Sequence, residues 1–185
     1  MSMISQLWLP ILATAVFIFI ASSLIHMVFK WHNSDYLKLS NEDDVRAAIR
    51  AGQPAPGQYV LPHCTDMKEI QGEAMQKKYL DGPVAFMTVK KNGPPEMTQT
   101  LSLWFVYSLV IATIAAAIAF YGLGVKADAE RAALVVGVAS FLGYVGGSVP
   151  LAIWMGKPWI SVAKDALDGL IYATISAMTF CWLWP

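Results

Sequence analysis

From Met1 to Phe29 the chain carries no Asp, Glu, Lys or Arg. A helix of about 20 apolar residues crosses the ~30 Å of hydrocarbon in a bilayer, so a charge-free run of this length is a candidate span. Residues 101–124 and 132–154 form two more such runs, and residues 159–184 a fourth that holds only Lys164, Asp165 and Asp168 as charged groups. The spacing predicts transmembrane helices over 7–29, 101–124, 132–154 and 159–184. The chain is 56% hydrophobic and 14% charged over 185 residues, against about 25% charged in an average soluble domain. A soluble chain of this size has too little interior to hide that much apolar surface. The expected class is an all-α membrane protein, with four transmembrane helices and a small α+β extramembrane segment between helices 1 and 2. That divides the chain into residues 1–30 (transmembrane helix 1, a signal anchor), 31–100 (extramembrane) and 101–185 (helices 2–4).

Helix 1 reads as a retained anchor rather than a cleaved signal peptide. It has no positive n-region, and its apolar stretch exceeds the roughly 7–15 residues of an h-region. All seven tryptophans, Trp8, Trp31, Trp104, Trp154, Trp159, Trp182 and Trp184, fall near proposed helix ends, where indole rings prefer the headgroup boundary. Nine of the thirteen Lys and Arg lie between Lys30 and Lys91. The positive-inside rule then places residues 31–100 in the cytoplasm and both termini outside. Thirteen basic residues matched by thirteen acidic ones leave no net charge, and a nucleic-acid partner is not expected without a basic face. Cys64 and Cys181 are the two cysteines. They fall on opposite sides of the membrane in this topology and make no disulfide framework.

In the extramembrane segment, Ser40-Asn41-Glu42-Asp43 fits a capping box, with Ser40 accepting from first-turn amides. Val45, Ala48 and Ile49 form one apolar face of the helix that follows, and Gly52 ends it. Tyr59-Val60-Leu61 is a short extended piece stopped by Pro62. Thr65 or Asp66 caps a second helix running to about Leu80, with Met67, Ile70, Ala74, Met75 and Tyr79 at helical spacing. Residues 84–89 read as a strand. A unit this small has no room for a large core and is expected to lean on the membrane or on a partner protein.

The chain holds no Walker loop, Gly-x-Ser-x-Gly, His-Glu-x-x-His or dinucleotide fingerprint, so no enzyme activity and no cofactor are expected. His63-Cys64-x-x-Met67 offers imidazole, thiolate and thioether, the donor types copper prefers; the alternative is a turn with a small Cys and a core Met. His26 and His32 lie at the inner end of helix 1 and read as interfacial histidines. Helices 2–4 contain no His, so an intrachain bis-His haem is not expected. In helix 4, Lys164, Asp165 and Asp168 are intramembrane polar groups, which are costly and therefore functional suspects. Lys164 and Asp168 stand four residues apart and are expected to pair on one helix face. Ala139, Gly143 and Gly147 make a small-residue stripe of the kind that lets membrane helices approach closely. Ala112, Ala115, Ala116 and Ala119 of helix 2 offer it a partner surface. Pro150 is expected to bend the last turn of helix 3.

Gly82-Pro83-Val84-Ala85, Gly156-Lys157-Pro158-Trp159, Asp168-Gly169-Leu170-Ile171-Tyr172 and the closing Trp182-Leu183-Trp184-Pro185 together resemble an uncharacterised family of bacterial four-helix inner-membrane proteins of similar length. The likeness runs from about Ser40 to the end. It implies the four-helix fold and a bacterial inner-membrane setting, and it carries no functional residues across. The leading functional expectation is a non-catalytic accessory or structural subunit of a larger membrane complex, with the lipid bilayer and other membrane subunits as partners. The alternatives are a small transporter or channel using Asp168, and a copper-handling protein using His63, Cys64 and Met67.

Overall fold

The computed structural model describes residues 2–185 and divides into two compact units, one comprising the chain up to Tyr36 with Glu96–Pro185, the other Leu37–Pro95. In the first unit, helix α1 (Met3–Ser23) starts earlier than expected because Ser2 caps it, its hydroxyl accepting from Ser5 N at 3.2 Å. The helix continues as a π-helical turn, Leu24–Phe29. Lys30 then takes a left-handed backbone with φ 56°, and a 3-10 turn follows over Trp31–Asp35.

The second unit holds α2 (Glu42–Ala51), β1 (Gly57–Leu61), α3 (Met67–Ile70), α4 (Glu73–Asp81) and β2 (Ala85–Val89). β1 and β2 pair antiparallel, from Gly57 opposite Val89 to Leu61 opposite Ala85. Asn41 rather than Ser40 is the N-cap of α2, and no side chain caps it. Glu42, Asp43 and Asp44 in its first turn instead meet the positive end of the helix dipole. Asp66 caps α3, accepting from Lys68 N at 2.8 Å. The single helix expected to reach Leu80 is split, because Gly72 adopts an extended backbone (φ −71°, ψ 145°) before α4. No residue of Leu37–Pro95 is buried.

Back in the first unit come α5 (Met97–Leu123), α6 (Ala129–Val145), α7 (Ser148–Met155) and α8 (Trp159–Leu183). Four helical stretches are long and apolar enough to cross a membrane: Met3–Phe29, Met97–Leu123, Ala129–Met155 and Trp159–Leu183. The third is interrupted at Gly146-Gly147, upstream of Pro150. Pro150 therefore does not bend a continuous helix. It stands in the first turn of α7, where the amide it lacks has no intrahelical partner. The segment boundary also shifts: Trp31–Asp35, expected outside the membrane domain, belong with the four-helix unit, because their side chains bond to α8.

α1 packs on α5 and α8, and α6 packs on the same two, so the four spans close a ring. At one end Met3, Leu7 and Ile11 of α1 meet Ala112, Ala115, Ala116 and Ala119 of α5, with Val136 and Phe180 completing a buried cluster. Four alanines on one face bring α5 close, and dispersion then holds helices that gain nothing from leaving lipid. Ala139 packs against this cluster, and a Cβ on Gly143 would meet Ile111 Cδ1 at 2.8 Å. Gly147, the third member of the expected stripe, has nothing within 4 Å and serves the joint before α7. The closest approach lies elsewhere, between α6 and α8: a Cβ on Gly169 would stand 2.1 Å from Val145 Cγ2. At the other end of the ring, Ile18, Ile25 and Tyr172 form a second cluster with Trp31, Trp104 and Tyr144 packed on it.

Candidate functional site

The second end of the ring is where the charges meet. Residues 24–35 make the turn that brings them there. The π-helical turn closes with Lys30 N donating to Ile25 O at 2.9 Å, and Asn33 N donates back to Lys30 O at 3.0 Å. A π-turn followed by a non-glycine residue at positive φ is uncommon backbone, and both features are enriched at functional sites. Here they reverse the chain so that Trp31, His32 and Asp35 face α8.

Asp168 lies about 13 Å along α8 from Trp159, at 1.5 Å per residue, and is 6% exposed. Its Oδ1 accepts from Trp31 Nε1 at 3.1 Å, and its Oδ2 lies 2.9 Å from His32 Nε2. The other ring nitrogen of His32, Nδ1, is 2.7 Å from Asp35 Oδ2. His26 stacks on His32 with ring centroids 5.0 Å apart and planes 6° from parallel, and its Nδ1 is 2.9 Å from Ser22 O. Among the described residues, His26, His32 and Asp168 form the group of His, Cys, Asp and Glu side chains whose ligand atoms converge, all within 4.8 Å of one another.

Lys164 does not pair with Asp168 as their four-residue spacing predicts. Its Nζ donates to Asp35 Oδ1 at 2.6 Å, to Ser34 Oγ at 2.8 Å and to Trp31 O at 2.8 Å. Three acceptors on the folded-back turn outcompete one carboxylate on its own helix, because together they satisfy all three N–H groups of a half-buried ammonium. The Lys164 hydrogen bond, more than any other influence, holds the Asp35 carboxyl at about 2, below the usual carboxylate range; burial opposes this, and His32 and Ser161 add to it. Asp165 is taken by a third partner set, Lys157 and Ser148, both in close hydrogen-bond contact with its Oδ2. Lys157 reaches it because Gly156, left-handed at φ 70°, turns the chain between α7 and α8.

An open cavity of about 680 Å³ adjoins these groups, with His26, His32, Asp165 and Asp168 in its wall. Trp104, Tyr107, Tyr144 and Tyr172 make its aromatic side, and Tyr144 and Tyr172 meet edge to face at 5.1 Å. The buried Tyr172 hydroxyl has no hydrogen-bond partner among the described residues. Trp104 turns its indole inward: its Nε1 donates to Ser22 Oγ at 2.8 Å, as Trp31 donates to Asp168.

His63, Cys64 and Met67 lie in the other unit. Cys64 Sγ donates to Asp66 O at 3.4 Å and to Glu69 Oε2 at 3.5 Å, and Met67 is 69% exposed. Sequence reasoning singled out Lys164, Asp165 and Asp168, read Trp31, His26 and His32 only as boundary residues, and passed over Asp35. The signal was present: unpaired charges in a span require partners, and Trp31-His32-Asn33-Ser34-Asp35 is a run of hydrogen-bonding side chains at the end of the first span. No protein-family model matches the chain, and no curated protein or solved structure matches it either.

Proposed function

We propose that this chain is a small cation-handling membrane protein whose working carboxylate is Asp168. The observation that carries the reading is the pairing of fixed charges at the cavity. Lys164 is taken by Asp35 and Lys157 by Asp165, which leaves Asp168, 6% exposed, without a lysine or arginine of its own. A buried carboxylate in a membrane bundle without a fixed counter-charge calls for a cation. The cavity beside it supplies a way in. By the Lys and Arg distribution residues 37–95 are cytoplasmic and both termini outside, in the bacterial inner membrane that the resemblance implies, and the cavity then opens toward the cytoplasmic side. Two experiments test this reading. Asp168→Asn keeps the shape and removes the charge, so it should fold, assemble and behave like the gene deletion; an Asn variant with wild-type behaviour rejects the proposal. A cysteine at Asp128, in a background without Cys64 and Cys181, should react with an impermeant reagent from outside, and one at Gln76 should not. The opposite pattern rejects the orientation.

A second reading, that the chain is an accessory subunit of a larger membrane complex, is favoured by the second unit. Residues 37–95 contain two helices, a helical turn and a two-stranded antiparallel sheet, and none of their side chains is buried. A unit without a core of its own suits a partner protein's surface. Purification in gentle detergent with mass spectrometry should then return a second membrane protein at fixed stoichiometry, and a lone chain or homo-oligomer rejects this second reading.

A further inference from the structure

We propose that His26, His32 and Asp168 form a binding site for one divalent transition-metal ion. The inference rests on the reading of Asp168 as the cation-handling carboxylate and names the cation it handles.

Four observations converge on it. First, the three ligand groups already lie within 4.8 Å of one another. Metal–nitrogen and metal–oxygen bonds of about 2.0–2.1 Å put two donors of one ion roughly 3 Å apart, and His32 Nε2 stands 2.9 Å from Asp168 Oδ2. Second, each histidine is held by its other nitrogen. Nδ1 of His26 lies on Ser22 O and Nδ1 of His32 on Asp35 Oδ2. Donating that N–H to a carbonyl or carboxylate fixes the tautomer in which Nε2 carries a lone pair, as metal-ligating histidines do. Third, a neutral imidazole has one N–H to donate, whereas His32 faces a carboxylate oxygen at both nitrogens. With Nδ1–H given to Asp35, the Nε2 lone pair meets an Asp168 oxygen, and an ion seated beside them and bonded to both turns repulsion into two bonds. Fourth, His26 and Asp168 both border the open cavity, which gives an ion an entry path and leaves space for exchangeable ligands beyond three protein donors.

The donor set fixes the chemical class. Two imidazoles with one carboxylate suit zinc, iron(II) or nickel, and the lack of thiolate or thioether argues against copper(I). Calcium and magnesium take oxygen ligands throughout. Trp31, donating to Oδ1, and Asp35, behind His32, are positioning residues: one holds the carboxylate, the other the ring.

The test uses the full chain, purified in mild detergent with an affinity tag free of histidine, stripped with a chelator and titrated with zinc alone. One ion per chain is expected, and cobalt(II) in its place should show an absorption spectrum that changes when His26 is replaced. His26→Gln should weaken zinc binding at least tenfold. This ring is exposed and is held by Ser22 O and by stacking on His32, so the variant should keep close to the wild-type melting temperature without metal. Asp168→Asn should weaken binding further, Asp35→Asn by about 10–100-fold through loss of the support behind His32, and His63→Gln should leave it unchanged. Wild-type protein that takes up no zinc overturns the proposal, as does a folded His26→Gln variant that binds as tightly as wild type. If wild type takes up no zinc while Asp168→Asn still behaves like the deletion, the transition-metal site falls and the cation-handling reading stands.

Discussion

The four-helix unit and the unit of residues 37–95 solve opposite problems. In the first, apolar side chains are free to face lipid, and large ones such as Trp154, Met178 and Trp182 are 68–75% exposed. What it buries is largely small or polar, namely alanines, glycines, serines and the Asp168 carboxylate, set around a few large apolar anchors such as Leu7, Ile18 and Phe180. Stability there comes from close approach of helices and from satisfied charges. The second unit is built from a two-stranded sheet, two helices and a helical turn that place acids at helix starts and glycines at their ends, yet none of its residues is fully buried. The comparison teaches that burial in this chain follows helix packing and charge pairing rather than hydrophobicity.

If that is right, the damage done by a substitution should track distance and pairing in the first unit and be slight everywhere in the second. Gly169→Leu should have the largest effect, because its Cβ already overlaps Val145 and neither helix can yield without opening the ring. A loss of ~3 kcal/mol or more is expected for such overpacking, read as failure to recover monodisperse protein in detergent. Next is Asp35→Ala, which strands Lys164 and frees His32. Breaking the pair should cost ~1–2 kcal/mol, less than a fully dry ion pair because both partners keep some water; a melting temperature equal to wild type would show that the turn is only draped on α8. Gly143→Leu meets the flexible end of Ile111 and should cost ~1 kcal/mol, while Gly147→Leu, with open space around it, should be near neutral. Equal losses at the two positions would mean the stripe acts as a whole. The smallest effect is expected for Met67→Ser in the second unit, within ~0.5 kcal/mol by thermal unfolding in detergent. A large loss there would reveal a packed face that the isolated chain does not show.

Much of this was readable in advance, and the failures are instructive. The four spans, the antiparallel neighbours and the alanine face of α5 follow from local composition. Both strands were legible from Tyr59-Val60-Leu61 and residues 84–89, since Gly57 and Pro62 bracket one and Gly82-Pro83 precedes the other. Lys164 was assigned to Asp168 on helix spacing, which is sound for an isolated helix but ignores what docks against it. The stripe through Ala139, Gly143 and Gly147 picked the α5-facing side of α6, whereas the tightest contact runs through Gly169 and Val145. Choosing between them requires the rotation of each helix, and a span that is apolar all round does not reveal its rotation.

The sequence by itself determined that there are four spans and where they stop. A backbone in lipid must satisfy its own hydrogen bonds, so helix formation there depends on a run of neighbours and on the Gly, Pro and charged residues that end it. Only the tertiary structure decided which polar side chains meet. His32 and Asp168 are separated by 136 residues and Lys164 and Asp35 by 129, and their contact depends on the π-turn at Leu24–Phe29 and the left-handed Lys30, which swing one chain segment onto another helix. Partner choice among charges is settled by which groups arrive within reach of each other, and that is a property of the packed ring, not of any stretch of the chain.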